Sequence, residues 1–207
     1  MLIDLRPSNR LVYVVTLVVA AAWVLLDQAT KMAAVRAFGD GMSLDLGPVV
    51  LRLIYNEGGA FSLPIQLPWL FVGVTVIVCV LVARALPDTD SLGLAAAYGL
   101  VVGGAIGNGA DRIFRDGAVV DMIDLDFWPL QGFPVFNVAD IGITVGAALV
   151  AILMVLADRR ETAASQAVLE DDDEDGTATA RSGESGDDAP AAPDVSHAIR
   201  PEESAEA

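Results

Sequence analysis

One cysteine (Cys79), one histidine (His197) and one lysine (Lys31) are all that the 207 residues offer of those three types. Their scarcity excludes an intrachain disulfide, a Cys/His zinc site, a Cys/His nucleophilic pair and a Ser/His/Asp triad. Acid–base chemistry is left to carboxylates, to Lys31, to arginines acting through their charge, or to tyrosines. Basic residues are few as well, 12 against 28 acids for a net charge of −16. Neither a metal, a cofactor nor a nucleic-acid partner is expected.

The negative charge is unevenly placed. Up to Arg160, 14 acids face 10 bases, whereas residues 161–207 hold 14 acids and 2 bases. Most of the acidity belongs to a tail that carries Glu170-Asp-Asp-Asp-Glu-Asp175 followed by Gly, Ser, Ala and Pro. Such a segment buries too little apolar surface to offset its chain entropy, so a disordered cytoplasmic tail is expected. Its acid run reads as solvated rather than metal-binding.

Apolar residues are what abound. They make up 54% of the chain, with mean hydropathy +0.55, against the roughly 45–50% usual in soluble domains. The excess lies in four runs, Leu11–Leu26, Leu67–Ala83, Leu92–Ile106 and Ile141–Ala157. Each approaches the roughly 17–25 residues that a spanning helix needs. The expectation is an all-α membrane protein, with four transmembrane helices in a domain of residues 1–160 and the tail in 161–207.

Arg6 and Arg10 before the first run, and Ala20-Ala-Ala22 within it, resemble a cleavable leader. The run nevertheless continues through Trp23–Leu26 and three more follow, which makes it an uncleaved helix. With both termini cytoplasmic, Arg6, Arg10, Arg84, Arg159 and Arg160 fall inside, and Lys31, Arg36, Arg52, Arg112 and Arg115 outside. Five against five favours this orientation only if some outer cations serve a site.

Between the first two spans, Val49–Tyr55 is rich in strand formers and ends at Asn56-Glu-Gly-Gly59, so residues 42–63 suggest a small extracytoplasmic sheet or hairpin. Residues 32–38 suggest a short interfacial helix. Phe127, Trp128, Phe133 and Phe136 gather before the fourth span, as aromatics do at a membrane–water boundary. Gly99, Gly103 and Gly107, four apart, line one helix face for close packing.

Polar side chains beside the hydrocarbon are costly and need a reason. Asp27 and Lys31 stand i, i+4 at a helix end, as an ion pair or as part of a site. Asn108, Asp111 and Arg112 share one helix face, either for helix-end solvation or as the wall of a site in which Asp111 holds Arg112. Asn137 sits where the fourth helix needs an N-cap, and Asp140 in its first turn, where the helix dipole favours negative charge. Asp121 lies among Val119, Val120, Met122 and Ile123, and the 121–140 loop is long enough to bring Asp121 and Asp140 face to face. Two carboxylates sharing a proton can activate water and protonate a leaving amide nitrogen. Asp124 and Asp126 read as solvated.

Rival readings are a Ser/Lys hydrolase, with Lys31 as base and Ser43 or Ser62 as nucleophile, and a transporter that uses its acids as relays. Against the transporter, the acids sit at span ends and no inverted repeat is visible.

The segments Asp27-Gln-Ala-Thr-Lys31, Tyr55-Asn-Glu-Gly-Gly-Ala-Phe61, Gly103-Gly-Ala-Ile-Gly-Asn-Gly-Ala-Asp-Arg112, Val119-Val-Asp-Met-Ile123 and Phe133-Pro-Val-Phe-Asn-Val-Ala-Asp140 resemble, in order, the five signatures of bacterial lipoprotein signal peptidase. The resemblance covers about residues 8–158. It implies an aspartyl endopeptidase of the bacterial plasma membrane, with its site on the extracytoplasmic side, that cuts diacylglyceryl-modified prolipoproteins before the lipidated cysteine. By the same resemblance Asp121 and Asp140 are the catalytic pair. Asn56, Gly58, Asn108, Asp111, Arg112 and Asn137 bind substrate or order the site, and Asp27 and Lys31 support it. Membrane lipids and cyclic peptide antibiotics are implied partners. Gly59 stands where the family more often has Ala, and Met122 where Phe is common.

Overall fold

The computed structural model describes residues 9–58 and 68–182, and four long helices account for the four apolar runs. They are α1 (Asn9–Phe38), α2 (Pro68–Ala85), α3 (Leu92–Phe114) and α4 (Val138–Ser182). Each contains a stretch long and apolar enough to cross a membrane. α3 is the least apolar and the most enclosed, with 44% of its spanning window buried against 11% for α2. Its small and polar residues face protein, where they avoid the cost of contact with lipid.

The glycine face of α3 receives α1. A Cβ on Gly99 or Gly103 would lie 2.8 Å from the carbonyl oxygen of Thr16 or Ala20 respectively, so only glycine admits the backbone of α1 this closely. Thr16 Oγ1 donates to the Ala95 carbonyl across the same seam (2.9 Å), and Trp23 Nε1 reaches from α1 to the Val138 carbonyl at the start of α4 (3.0 Å).

Two sequence expectations change at the ends of these helices. Residues 32–38 form no separate interfacial helix: Met32–Phe38 holds no breaker, and α1 runs through it until Gly39. Residues 161–182 are helical where composition suggests disorder, and Glu161–Glu170, rich in Ala, Gln, Leu and Glu, has the propensity for it. The remaining tail, 183–207, lies outside the described residues.

The expected hairpin is present as β1 (Ser43–Asp45) and β2 (Val49–Asn56), while residues 59–63 of that expectation lie outside the described set. A third strand, β3 (Val119–Leu125), joins it from beyond α3, giving an antiparallel sheet in the order β1-β2-β3. Asp116 (φ 53°) and Gly117 (φ 91°) turn the chain out of α3 and into β3 within a few residues. A one-residue irregularity between Leu51 and Ile54 divides the β2–β3 ladder. Without it every side chain of Ile54–Asn56 would turn to the opposite face of the sheet, so the bulge aims Asn56.

Candidate active site

The polar residues converge where the last turns of α1 and α3 meet the first turn of α4 and the strand β3. Lys31 is fully buried. Its Nζ lies 2.8 Å from Asp27 Oδ2 and 2.9 Å from Asp111 Oδ2, and donates to Asn108 Oδ1 at 2.9 Å, so three acceptors meet the three donors of an ammonium. The carboxylates are satisfied in turn. Asp27 Oδ1 accepts the Ala139 N–H (2.8 Å), and Asp111 accepts the Val120 N–H (3.1 Å) and Arg115 Nε (3.0 Å). Gln28 Nε2 donates to both acids, at 3.2 and 3.1 Å. Gly107 makes room, since a Cβ there would sit 2.5 Å from Asp27 Oδ2. This cluster therefore ties α1, α3, α4 and β3 together through one buried cation.

Beside it stand the two candidate acids. Asp121 is opposite Ile54 in the ladder, which places it diagonally from Asn56, and Asn56 Nδ2 donates to Asp121 Oδ2 at 2.9 Å. Asn137 Nδ2 donates to Asp121 Oδ1 at 2.6 Å. Asp140 Oδ1 accepts from Asn108 Nδ2 (2.7 Å) and its Oδ2 from the Asn137 N–H (3.1 Å), while Asn137 Oδ1 caps the Asp140 N–H (3.0 Å). Asn137 is thus both the N-cap of α4 and the link between the carboxylates, with the reciprocal geometry of a capping box. Its Nδ2 also meets Asn108 Oδ1 (3.1 Å).

These bonds fix which way each amide points. Asn108 Oδ1 is held by Lys31, which leaves its Nδ2 for Asp140; Asn137 Oδ1 is held by the helix, which leaves its Nδ2 for Asp121. Among the described residues neither Asp121 nor Asp140 forms an ion pair. Burial pushes the Asp121 carboxyl from an ordinary 3.8 up to about 6; the nearby Asp140 adds to this, and the Asn56 and Asn137 donors oppose it. A cavity of about 600 Å³ opens beside Asp121, walled by the end of β2, the end of β3 and residues 132–135.

Nearly all residues singled out in the sequence meet here. Gly58 donates its N–H to Asn56 Oδ1 (3.0 Å) and so steadies that amide. One expected relation is different: Asp111 does not hold Arg112, because its oxygens are taken by Lys31 and Arg115. Arg112 instead donates to the Asn108 carbonyl (3.2 Å) and lies 4.6 Å over the Phe71 ring. Asp124 is ion-paired with Arg52 at 2.7 Å rather than simply solvated. Gln28, inside the first matched segment, and Arg115, three residues beyond the third, carry no sequence signal that marks them as site residues. A Ser/Lys site does not form with Ser43, which is exposed on β1, because Lys31 is sealed among acids; Ser62, like Gly59, lies outside the described residues.

Four helices long and apolar enough to cross a membrane thus carry, at one end, two carboxylates held by neutral amides. The family model described as Signal peptidase (SPase) II matches residues 19–156. Lipoprotein signal peptidase of Rhodococcus jostii is 40% identical over 146 residues, 67% of this chain and 71% of that one. Lipoprotein signal peptidase of Symbiobacterium thermophilum is 38% identical over 152 residues, 72% of this chain and 99% of its own. A solved bacterial membrane enzyme structure superposes with a TM-score of 0.60 at 27% identity, covering 68% of this chain and 87% of the other. The chain belongs to the signal peptidase II family.

Proposed function

We propose that Asp121 and Asp140 are the catalytic pair with which this enzyme removes signal peptides from diacylglyceryl-modified prolipoproteins, cutting before the lipidated cysteine. The observation that carries the assignment is that both carboxylates share Asn137 as a hydrogen-bond partner, while among the described residues neither forms an ion pair. Asp140, in the first turn of α4 and held by Asn108 Nδ2 and the Asn137 N–H, acts as the base that draws a proton from water. Asp121, buried and pushed up to about 6, is the acid that protonates the leaving amide nitrogen. Water attacks the carbonyl carbon as one of its protons passes to Asp140, the peptide C–N bond breaks as the proton of Asp121 passes to the nitrogen, and the pair holds one proton at the end as at the start. Arg112 lies within electrostatic reach of both acids and orients substrate or stabilises the developing oxyanion.

The site lies on the extracytoplasmic side in this reading, with both termini cytoplasmic. In sequence Arg84 follows the second span and Arg159 and Arg160 the fourth, which the positive-inside rule reads as inner positions, while Lys31, Arg52 and Arg115 are taken up by ion pairs. Residues 1–160 constitute the peptidase domain, and the segment 161–207 is dispensable for cleavage. Membrane lipids surround the four spans, and a cyclic peptide antibiotic that occupies the dyad is an expected inhibitor. Incubating the purified protein with a lipidated precursor peptide, and weighing the products by mass spectrometry, tests the function directly. A shortened peptide beginning at the lipidated cysteine is the expected product; an intact precursor refutes the reading.

A further inference from the structure

The cavity beside Asp121 is unlike the rest of the molecule's surroundings. Among the described residues, all of its walls come from segments between the spanning helices, and it carries Glu57, Asp124 and Asp126 with Arg52 as its one basic side chain. Arg52 is already paired with Asp124 at 2.7 Å. Glu57 and Asp126 are exposed, in no ion pair among the described residues, and leave the cavity net negative beyond the carboxyl of Asp121 itself. A substrate cut here has three parts: an apolar signal helix and two acyl chains, both of which belong in hydrocarbon, and a polar chain that follows the lipidated cysteine. Only the third has reason to enter a polar cavity outside the spans.

We propose that this cavity is the subsite for the first residues of the mature lipoprotein after the lipidated cysteine, and that Glu57 and Asp126 make it prefer basic or neutral residues there over acidic ones. The inference rests on the proposed function and adds a determinant of which precursors are cut fastest. The discrimination is electrostatic, acting on a flexible chain segment at a half-open site, so it falls with added salt. The Arg52–Asp124 pair serves as a neutral floor, and it keeps Arg52 from offering an acidic substrate a free cation.

Three synthetic diacylglyceryl-modified precursor peptides provide the test, identical through the cysteine and continuing with Lys-Lys, Ser-Ser or Asp-Asp. At low ionic strength kcat/KM should be about tenfold higher for the Lys-Lys than for the Asp-Asp peptide, with Ser-Ser between, and the ratio should fall below about threefold near 0.5 M salt. In the Glu57→Gln/Asp126→Asn double variant the ratio should approach one at low salt. Because each ratio is taken within one preparation, partial loss of folded enzyme cannot imitate it. Equal cleavage of the three peptides by the unaltered enzyme overturns the subsite, as does a ratio that persists in the double variant. Failure to cut even the Ser-Ser peptide instead overturns the proposed function on which the subsite rests.

Discussion

Two groups of acids lie side by side at the same end of the helical bundle and are treated in opposite ways. Asp27 and Asp111 are bound to a buried ammonium, with every oxygen committed. Asp121 and Asp140 are bound by amides of Asn56, Asn108 and Asn137 and by one backbone N–H. An ion pair fixes charge as well as position, since losing the proton balance of a buried pair leaves an uncompensated ion. A neutral amide donor fixes position and leaves protonation free to change. The first arrangement suits a joint between helices; the second suits groups that must take up and release protons. Asn108 belongs to both, because Lys31 holds its oxygen and its nitrogen holds Asp140.

The largest effects are expected where that difference is sharpest. Asp121→Asn and Asp140→Asn should each lower turnover by about 10⁴-fold, with the double variant hardly worse, because the proposed mechanism makes the two one acid–base unit. Their shape is nearly unchanged, so thermal unfolding in detergent should move little. Turnover within tenfold of normal in either single variant would remove the aspartic mechanism.

Lys31→Met should show the reverse pattern. It leaves Asp27 and Asp111 buried without their cation, a loss of about 3–5 kcal/mol, visible as a lower unfolding temperature in detergent. Lys31→Arg should recover only part of it, since a planar fork cannot reproduce three acceptors around a point charge. A variant as stable as the parent would mean that the cluster does not join the helices.

Arg112→Lys comes next, with an expected loss of about 10- to 100-fold in kcat, since lysine keeps the charge but not the planar group lying over Phe71 or the donor to Asn108. Stability should change little, because Arg112 is outside the ion cluster. Near-normal kcat would reduce Arg112 to a surface contact.

How much of this was legible beforehand follows from which physics is local. The four spans could be read from run length alone, and the Asn137 cap and the Asp27–Lys31 pair from spacing, because helix geometry fixes neighbours at i, i+3 and i+4. The third strand could not. Val119–Leu125 carries Asp121 and Asp124 three apart, which breaks strict alternation, and its partner strand lies more than sixty residues earlier. For the same reason the bulge that aims Asn56, and the Arg52–Asp124 pair beyond it, had no signature. The wrong partner for Asp111 has a related origin: adjacency in sequence suggested Arg112, whereas Lys31 sits on another helix altogether.

The smallest expected effect is the one that probes the amide side most directly. Asp121 is held up to about 6 by burial against the opposing pull of the Asn56 and Asn137 donors. In the proposed mechanism the pair loses, as pH rises through about 6, the proton that the leaving nitrogen needs, so kcat/KM should fall on that side. The sign for stability is the same: between 3.8 and about 6 the native carboxyl binds more protons than the unfolded one, so its contribution diminishes as pH rises through that window. Asn56 stabilises the charged form, and Asn56→Ala removes that donor while leaving Asn137 in place. The alkaline limb of kcat/KM should then shift upward, by up to about one pH unit, even if the height of the profile drops. Asn56→Asp, which adds a second negative charge beside Asp121, should move the limb further in the same direction. A structural role for Asn56 alone would lower the whole profile without moving its limb. A limb that stays in place in both variants would therefore show that the amide orients Asp121 without tuning its proton.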